Sequence, residues 1–303
     1  MPPPHSRFYQ SHGLRLHTTD WGHEGAPLLI LIHGGRDHGR SFDAIARALR
    51  PHYHVLAPDL RGHGDSEWTR GGSYSLPEYV YDLTRLVQLT DAKDVTLIGH
   101  SMGGMVALAY AGTFPDQVAR LIVLDGVVVS PNTPKAPAPE RMAKWIAQLD
   151  TLDARAPRSY PTIADAAAQM VAHNIRLTPE LALHLATHGV RPNADGSYGW
   201  KFDPCQRVLA PHRLWPDDYL ALWSRITCPT LLLGASESFL SDPAANGVAS
   251  HFKDARAETV AGAGHWLHHD RPDEVLGLIR AFLGLPEEAA AAAPNDPPSS
   301  VQR

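Results

Sequence analysis

Short, continuous apolar runs separated by glycine- and proline-rich loops recur along this chain, with amphipathic stretches between them. Residues 28–32 (Leu-Leu-Ile-Leu-Ile) have the unbroken apolar character of a fully buried strand. Residues 54–57, 95–98, 121–129, 230–234 and 258–260 are predicted as further strands, with Asp125 inside the sixth and Gly126 next to it. Residues 7–10 and 14–21 read as a hairpin around Ser11-His12-Gly13. Helices are predicted over 42–49, with Ser41 as N-cap, and from 76 to about 89, capped by Ser75. Others are predicted from 102 to about 114, around 246–252, and over 272–283.

Between 130 and about 225 the alternation stops. A proline-rich hinge (Pro131, Pro134, Pro137, Pro139) opens the stretch, and helical patterns follow at 140–149, 163–174 and 179–188. The chain therefore divides into an α/β core over 1–129 and 226–286, a helical cap inserted over 130–225, and a low-complexity tail over 287–303 that reads as disordered. Alternating strands and helices imply a mostly parallel sheet covered on both faces. Loops at the carboxyl ends of its strands gather into one crevice. His33-Gly34-Gly35, Asp59, Ser101, Asp125, Glu237 and His265 all fall at or just after such strand ends.

Composition narrows the function classes. A net charge of −5 with no basic stripe argues against a nucleic-acid partner. No apolar run reaches membrane-spanning length, and the N-terminus lacks the basic flank and apolar core of a signal peptide. Two cysteines, Cys205 and Cys228, have neither disulfide-framework nor metal spacing, and read as reduced thiols in a cytoplasmic protein. The 18 histidines are scattered, so neither a metal nor a cofactor is expected. The expected partners are a small molecule and water, and the expected state is monomer or homodimer.

The chemistry concentrates at 95–108, where a strand runs into Gly99-His100-Ser101-Met102-Gly103 and a helix-favouring run follows. Small residues belong there because a strand turning directly into a helix brings backbones together. The residue at the apex is strained and projects its side chain outwards. A serine so placed is a nucleophile that a nearby imidazole can activate. His265, in Ala263-Gly264-His265-Trp266 after the last strand, is the candidate base, whereas His268 and His269 lie near a helix start and suit a surface role.

The base needs a carboxylate. Glu237, in the loop after the seventh strand, preserves the order Ser, acid, His and is the expected acid. Asp125 is the alternative, and Asp242 a weaker one; as structural groups the three read as a solvated loop residue, a turn former and a helix cap. An oxyanion would be met by the N–H of Met102, opening the helix, and that of Gly35. Arg36 and His38 are candidate substrate contacts in the same glycine-rich loop, with Met142, Trp145, Trp200 and Trp266 further on; the cap aromatics suit cap core equally well. His33 reads as a structural hydrogen-bonder, and the 59–66 run as turn chemistry.

Taken together, His33-Gly34-Gly35, the run from Asp59 to Ser66, Gly99-His100-Ser101-Met102-Gly103-Gly104 and Gly262-Ala263-Gly264-His265-Trp266 resemble the α/β-hydrolase superfamily over roughly residues 8–284. The resemblance implies an eight-stranded sheet, a helical cap after strand six and a Ser–His mechanism. Serine at 101 disfavours the members with an aspartate nucleophile, and Glu237 stands where many relatives carry aspartate. The expected activity is cleavage of a carboxylic ester or lactone through an acyl-enzyme on Ser101. Carbon–carbon hydrolase, amidase, thioesterase or perhydrolase chemistry on the same residues are alternatives, as is a small-molecule receptor with little turnover.

Overall fold

The computed structural model describes residues 2–69, 74–127, 136–154, 157–208 and 213–286. In chain order the first half contains β1 (His5–Ser11), β2 (Leu14–Asp20), β3 (Leu28–Ile32), α1 (Asp43–Leu49), β4 (His54–Pro58), α2 (Leu76–Gln88), β5 (Val95–His100), α3 (Met102–Thr113) and β6 (Val118–Leu124). An inserted region follows with α4 (Ala138–Asp153), β7 (Ser159–Tyr160), α5 (Ile163–His173), α6 (Pro179–Gly189), β8 (Val190–Pro192), β9 (Tyr198–Trp200) and α7 (Pro216–Trp223). The chain then returns through β10 (Thr230–Ala235), β11 (Ala255–Val260), α8 (Leu267–Asp270) and α9 (Pro272–Leu283).

One sheet of eight strands runs β1-β2-β4-β3-β5-β6-β10-β11. Only the β1–β2 and β2–β4 pairings are antiparallel; from β4 to β11 every pairing is parallel. Helices cover both faces, which is why β3, β5 and β10 are buried along their whole length. One face packs Leu83 and Leu86 of α2, Val106 and Tyr110 of α3, and Trp223 of α7. The other packs Ile45 and Leu49 of α1 with Val275 and Ile279 of α9. Every residue of α3 from Gly103 to Gly112 is buried, so its uniform apolarity reflects a helix enclosed on all sides. The inserted region holds its own small core, including Tyr160, Ala166, Leu177 and Leu185, and a three-stranded sheet β7-β9-β8.

Register sets the site. Ile32 pairs with Gly99, His100 with Leu124, and Leu124 with Leu233, so β3, β5, β6 and β10 end side by side.

The structure departs from the sequence expectations at several element ends. β6 starts earlier than expected and stops at Leu124, because Asp125 turns the backbone to φ 44°. Ser75 does form a capping box with Glu78, but Ser41 lies in a single 3-10 turn before α1 and makes no cap. The expected helix near 246–252 is one 3-10 turn, Val248–His251. Trp223, within the stretch assigned to the cap, packs in the sheet's own core. Residues 128–135, which include Pro131 and Pro134 of the expected hinge, and the tail from 287 lie outside the described residues. Among the described residues, no helix is long and apolar enough to cross a membrane.

Candidate active site

Ser101 stands between β5 and α3 at φ 52° and ψ −119°, a backbone conformation that side-chain-bearing residues rarely adopt. The turn closes because its neighbours lack side chains. A Cβ on Gly103 would sit 2.1 Å from the Ile32 carbonyl oxygen, which is fixed in the sheet. Gly103→Ala is therefore expected to cost about 1–3 kcal/mol or more by overpacking against rigid backbone. A urea titration checks this, and an unchanged midpoint would contradict it.

His265 lies in the turn between β11 and α8 and is buried. Its Nε2 is 2.9 Å from Ser101 Oγ, and its Nδ1 is 2.6 Å from Asp125 Oδ2. With the proton on Nδ1 donated to the carboxylate, Nε2 is left to accept from the serine hydroxyl. Asp125 is buried, and its own N–H donates to the Leu233 carbonyl at 2.7 Å. The Ser238 hydroxyl also donates to Asp125 Oδ2. Ser238 has no distinguishing signal in the sequence; only the register that sets β10 beside β6 brings it there.

Glu237 is placed differently from the sequence expectation. Its N–H is tied to the Ala263 carbonyl at 2.9 Å, and its carboxylate pairs with Arg176 of the inserted region instead of His265. The Glu237 side chain is 52% exposed, against 2% for Asp125. Chain order favoured Glu237; the positive φ that ends β6 puts the aspartate under the imidazole. Asp242, the weaker alternative, accepts from the Thr259 hydroxyl at 2.5 Å.

Met102 opens α3, so its N–H has no acceptor within the helix and faces the crevice end of the sheet. Gly35 lies close by: a Cβ built on it would be 3.9 Å from Met102 Sδ. The loop that carries Gly35 is held from beneath by histidines. His33 Nδ1–H donates to the Gly34 carbonyl at 2.7 Å while its Nε2 accepts from Leu60 N–H at 3.0 Å. His63 Nε2 accepts from Arg36 N–H at 2.9 Å. His100 Nε2–H donates to the His265 carbonyl at 2.9 Å, tying the elbow to the loop of the imidazole.

These buried histidines account for part of the high histidine count, and they carry a pH signature. Burial, reinforced by neighbouring imidazoles, pushes His63 and His100 down to about 3 from the ordinary 6.5. The folded protein keeps both neutral where the unfolded chain would charge them, so unfolding takes up protons between about 3 and 6.5. Their contribution to stability is complete above that window and declines as pH falls through it. Each such proton is worth about 1.4 kcal/mol per pH unit. Denaturation midpoints are expected to be flat above neutrality and to fall from pH 6.5 downward; a flat profile down to pH 5 (roughly midway in that window) would contradict this.

A cavity of about 280 Å3 lies between the glycine-rich loop and the inserted region. Gly35, Arg36, Trp200 and Trp266 line it; Ser101 does not, and Gly35 and Trp266 mark where cavity and Ser–His pair adjoin. The Trp266 and His265 rings meet edge-on at 5.1 Å. Met142, 53% exposed, and Trp145 form no part of the wall. His38 is turned towards the inserted region, its Nε2–H donating to the Leu185 carbonyl at 3.0 Å. Among the described residues, His17, Asp59 and Asp65 are grouped closely enough to hold a metal ion. His17 Nδ1–H already donates to Asp59 Oδ2 at 2.8 Å, and the Asp59 carboxylate also accepts from Gly39 and Asp65 N–H groups, so the group organises the 59–66 turn.

A serine on a strand–helix elbow, facing a histidine at the carboxyl edge of a doubly covered parallel sheet, defines the class of α/β proteins with a hydrolase-type crevice. The chain belongs to the alpha/beta hydrolase fold family, whose model matches residues 27–272. It is 30% identical over 269 residues to lipase LipV of Mycobacterium tuberculosis, covering 89% of this chain and 98% of that one. Esterase YbfF of Escherichia coli is 26% identical over 275 residues, with coverage of 89% and 98%. Among solved structures, the thioesterase domain from the curacin biosynthetic pathway matches with a TM-score of 0.82 at 26% identity, covering 92% of this chain and 100% of that domain.

Proposed function

We propose that the protein is a serine hydrolase that cleaves a carboxylic ester through an acyl-enzyme on Ser101, with His265 as base and Asp125 as its carboxylate partner. One observation carries this reading: the continuous relay from Ser101 Oγ through His265 to Asp125, with contacts of 2.9 and 2.6 Å. Similarity to a lipase and an esterase supports the ester class.

Ser101 Oγ attacks the ester carbonyl as His265 Nε2 takes its proton. Asp125 keeps the other ring proton on Nδ1 and stabilises the imidazolium that forms. The N–H groups of Gly35 and Met102 receive the negative oxygen of the tetrahedral intermediate. Collapse expels the alcohol, which leaves with the proton from His265. Water, deprotonated by the same nitrogen, then attacks the acyl-enzyme and regenerates Ser101.

A panel of nitrophenyl esters, a lactone, an amide and a thioester of matched acyl chain separates the bond classes. The likeness to a thioesterase domain is the reason for including the thioester. The expected result is turnover of esters that a fluorophosphonate abolishes by reacting with Ser101. Labelling of Ser101 without turnover of any panel member would instead mark a receptor-like protein.

A further inference from the structure

The cavity beside Ser101 has walls of two kinds. One is apolar, with Met170, Leu177, Leu185, Trp200 and Phe202. The other is cationic: Arg36, Arg158 and Arg207 all line it, against one carboxylate, Asp37. With histidines neutral the lining carries +2 from these four side chains, in a chain whose net charge is −5. Among the described residues, none of the three guanidinium groups has a carboxylate within ion-pair distance. Asp37 does not neutralise them. Among the described residues it forms no ion pair with them, and its Oδ1 accepts from His38 N–H at 2.8 Å.

The cations are held by fixed backbone. Arg36 has φ 64°, where glycine is the unstrained choice, and its N–H is held by His63 at 2.9 Å. Arg207 ends a 3-10 turn, Pro204–Arg207, clamped to the core. Tyr79 OH donates to Gln206 at 2.7 Å, Gln206 donates to the Arg61 carbonyl at 3.1 Å, and Asp203 N–H donates to the Gly62 carbonyl at 2.9 Å. Burial and the charge of Arg207 together depress the Arg36 guanidinium, which places the two cations in each other's field. Like charges brought together on a half-enclosed wall are stabilised when an anion enters between them.

We propose that this cavity binds an anionic group of the substrate, so that the preferred ester has an apolar body ending in a carboxylate or phosphate held by Arg36, Arg207 and Arg158. The proposal rests on the Ser101 hydrolase reading for the word substrate, but the anion site stands on the cavity alone.

The test pairs 4-nitrophenyl hydrogen adipate with 4-nitrophenyl hexanoate, esters of equal acyl length that differ in the terminal carboxylate. Wild-type kcat/KM is expected to favour the adipate by about tenfold or more, the size of one charge-assisted hydrogen bond. Arg207→Gln and Arg36→Gln should each lower that ratio by about tenfold, and Arg207→Lys should keep more of it than Arg207→Gln. Raising the salt concentration should shrink the ratio as well. Calorimetric titration of the Ser101→Ala protein with adipate and with hexyl phosphate identifies the anion class: the tighter of the two names it. A ratio near one in the wild type, or a ratio that both glutamine variants leave intact, overturns the proposal. If neither ester turns over while adipate or hexyl phosphate binds in an Arg207-dependent way, the hydrolase reading fails and the anion site stands. If neither anion binds in that way, the anion site fails whichever ester is hydrolysed.

Discussion

Replacing Ser101 by alanine is expected to lower kcat for a short-chain nitrophenyl ester by about five to six orders of magnitude, leaving only the rate that oxyanion donors and binding supply. The expectation follows from where the hydroxyl sits. Ser101 Oγ, 2.9 Å from His265 Nε2, is the atom whose proton the imidazole can take. The substitution removes that atom and nothing on which the fold depends. The elbow geometry belongs to the backbone and to the glycines around it, so alanine at 101 occupies the same space with one atom fewer. Far-ultraviolet circular dichroism and the urea midpoint should be unchanged. Burst and steady-state kinetics measure the loss, and a variant that retains even a few per cent of wild-type turnover would remove Ser101 from the chemistry.

Asp125→Asn is expected to reduce kcat by about 10^4, because an amide in that position can donate to Nδ1 and so favours the tautomer that places the proton on Nε2. A base already protonated on the nitrogen that faces Ser101 cannot accept the seryl proton. Glu237→Gln should leave kcat within about threefold of wild type, since its carboxylate pairs with Arg176 and an exposed ion pair contributes little. The two variants read the same question from opposite sides. The 2.6 Å contact from His265 to Asp125 requires a large loss in the first and a small one in the second. The reverse pattern would return the role to Glu237 and remove Asp125 from the mechanism. The Ser238 hydroxyl that also donates to Asp125 makes Ser238→Ala a milder probe of the same carboxylate, expected to act on rate by about tenfold or less.

The parallel sheet was legible because its inner strands are buried on both faces and so appear as unbroken apolar runs. Leu28–Ile32 is the clearest of them. The elbow was legible because close backbone approach demands small residues at known spacing around Ser101. The turn at Asp125 was not. Residues 126–129 (Gly-Val-Val-Val) continue the apolar run, and nothing in apolarity records that Asp125 breaks the strand at φ 44°. The same turn brings Asp125 to 2.6 Å from the His265 ring, so the misplaced strand end and the hidden His265–Asp125 contact have one cause. The cationic wall was hidden for a related reason. Arg36, Arg158 and Arg207 are more than 40 residues apart in the chain, and only the inserted region folding over the glycine-rich loop brings them to one cavity. Met142 and Trp145 illustrate the converse, since aromatic and sulfur-bearing residues in a cap helix suggest a pocket wall, yet α4 buries none of its side chains.

The most direct test of the Ser101–His265–Asp125 account is mass spectrometry of enzyme quenched during the first turnover of a short-chain nitrophenyl ester. An acyl adduct is expected on the peptide containing Ser101, accumulating in the burst, decaying as free acid appears, and missing from Ser101→Ala. Full turnover with no adduct on Ser101, or an adduct on any other residue in its place, would contradict it.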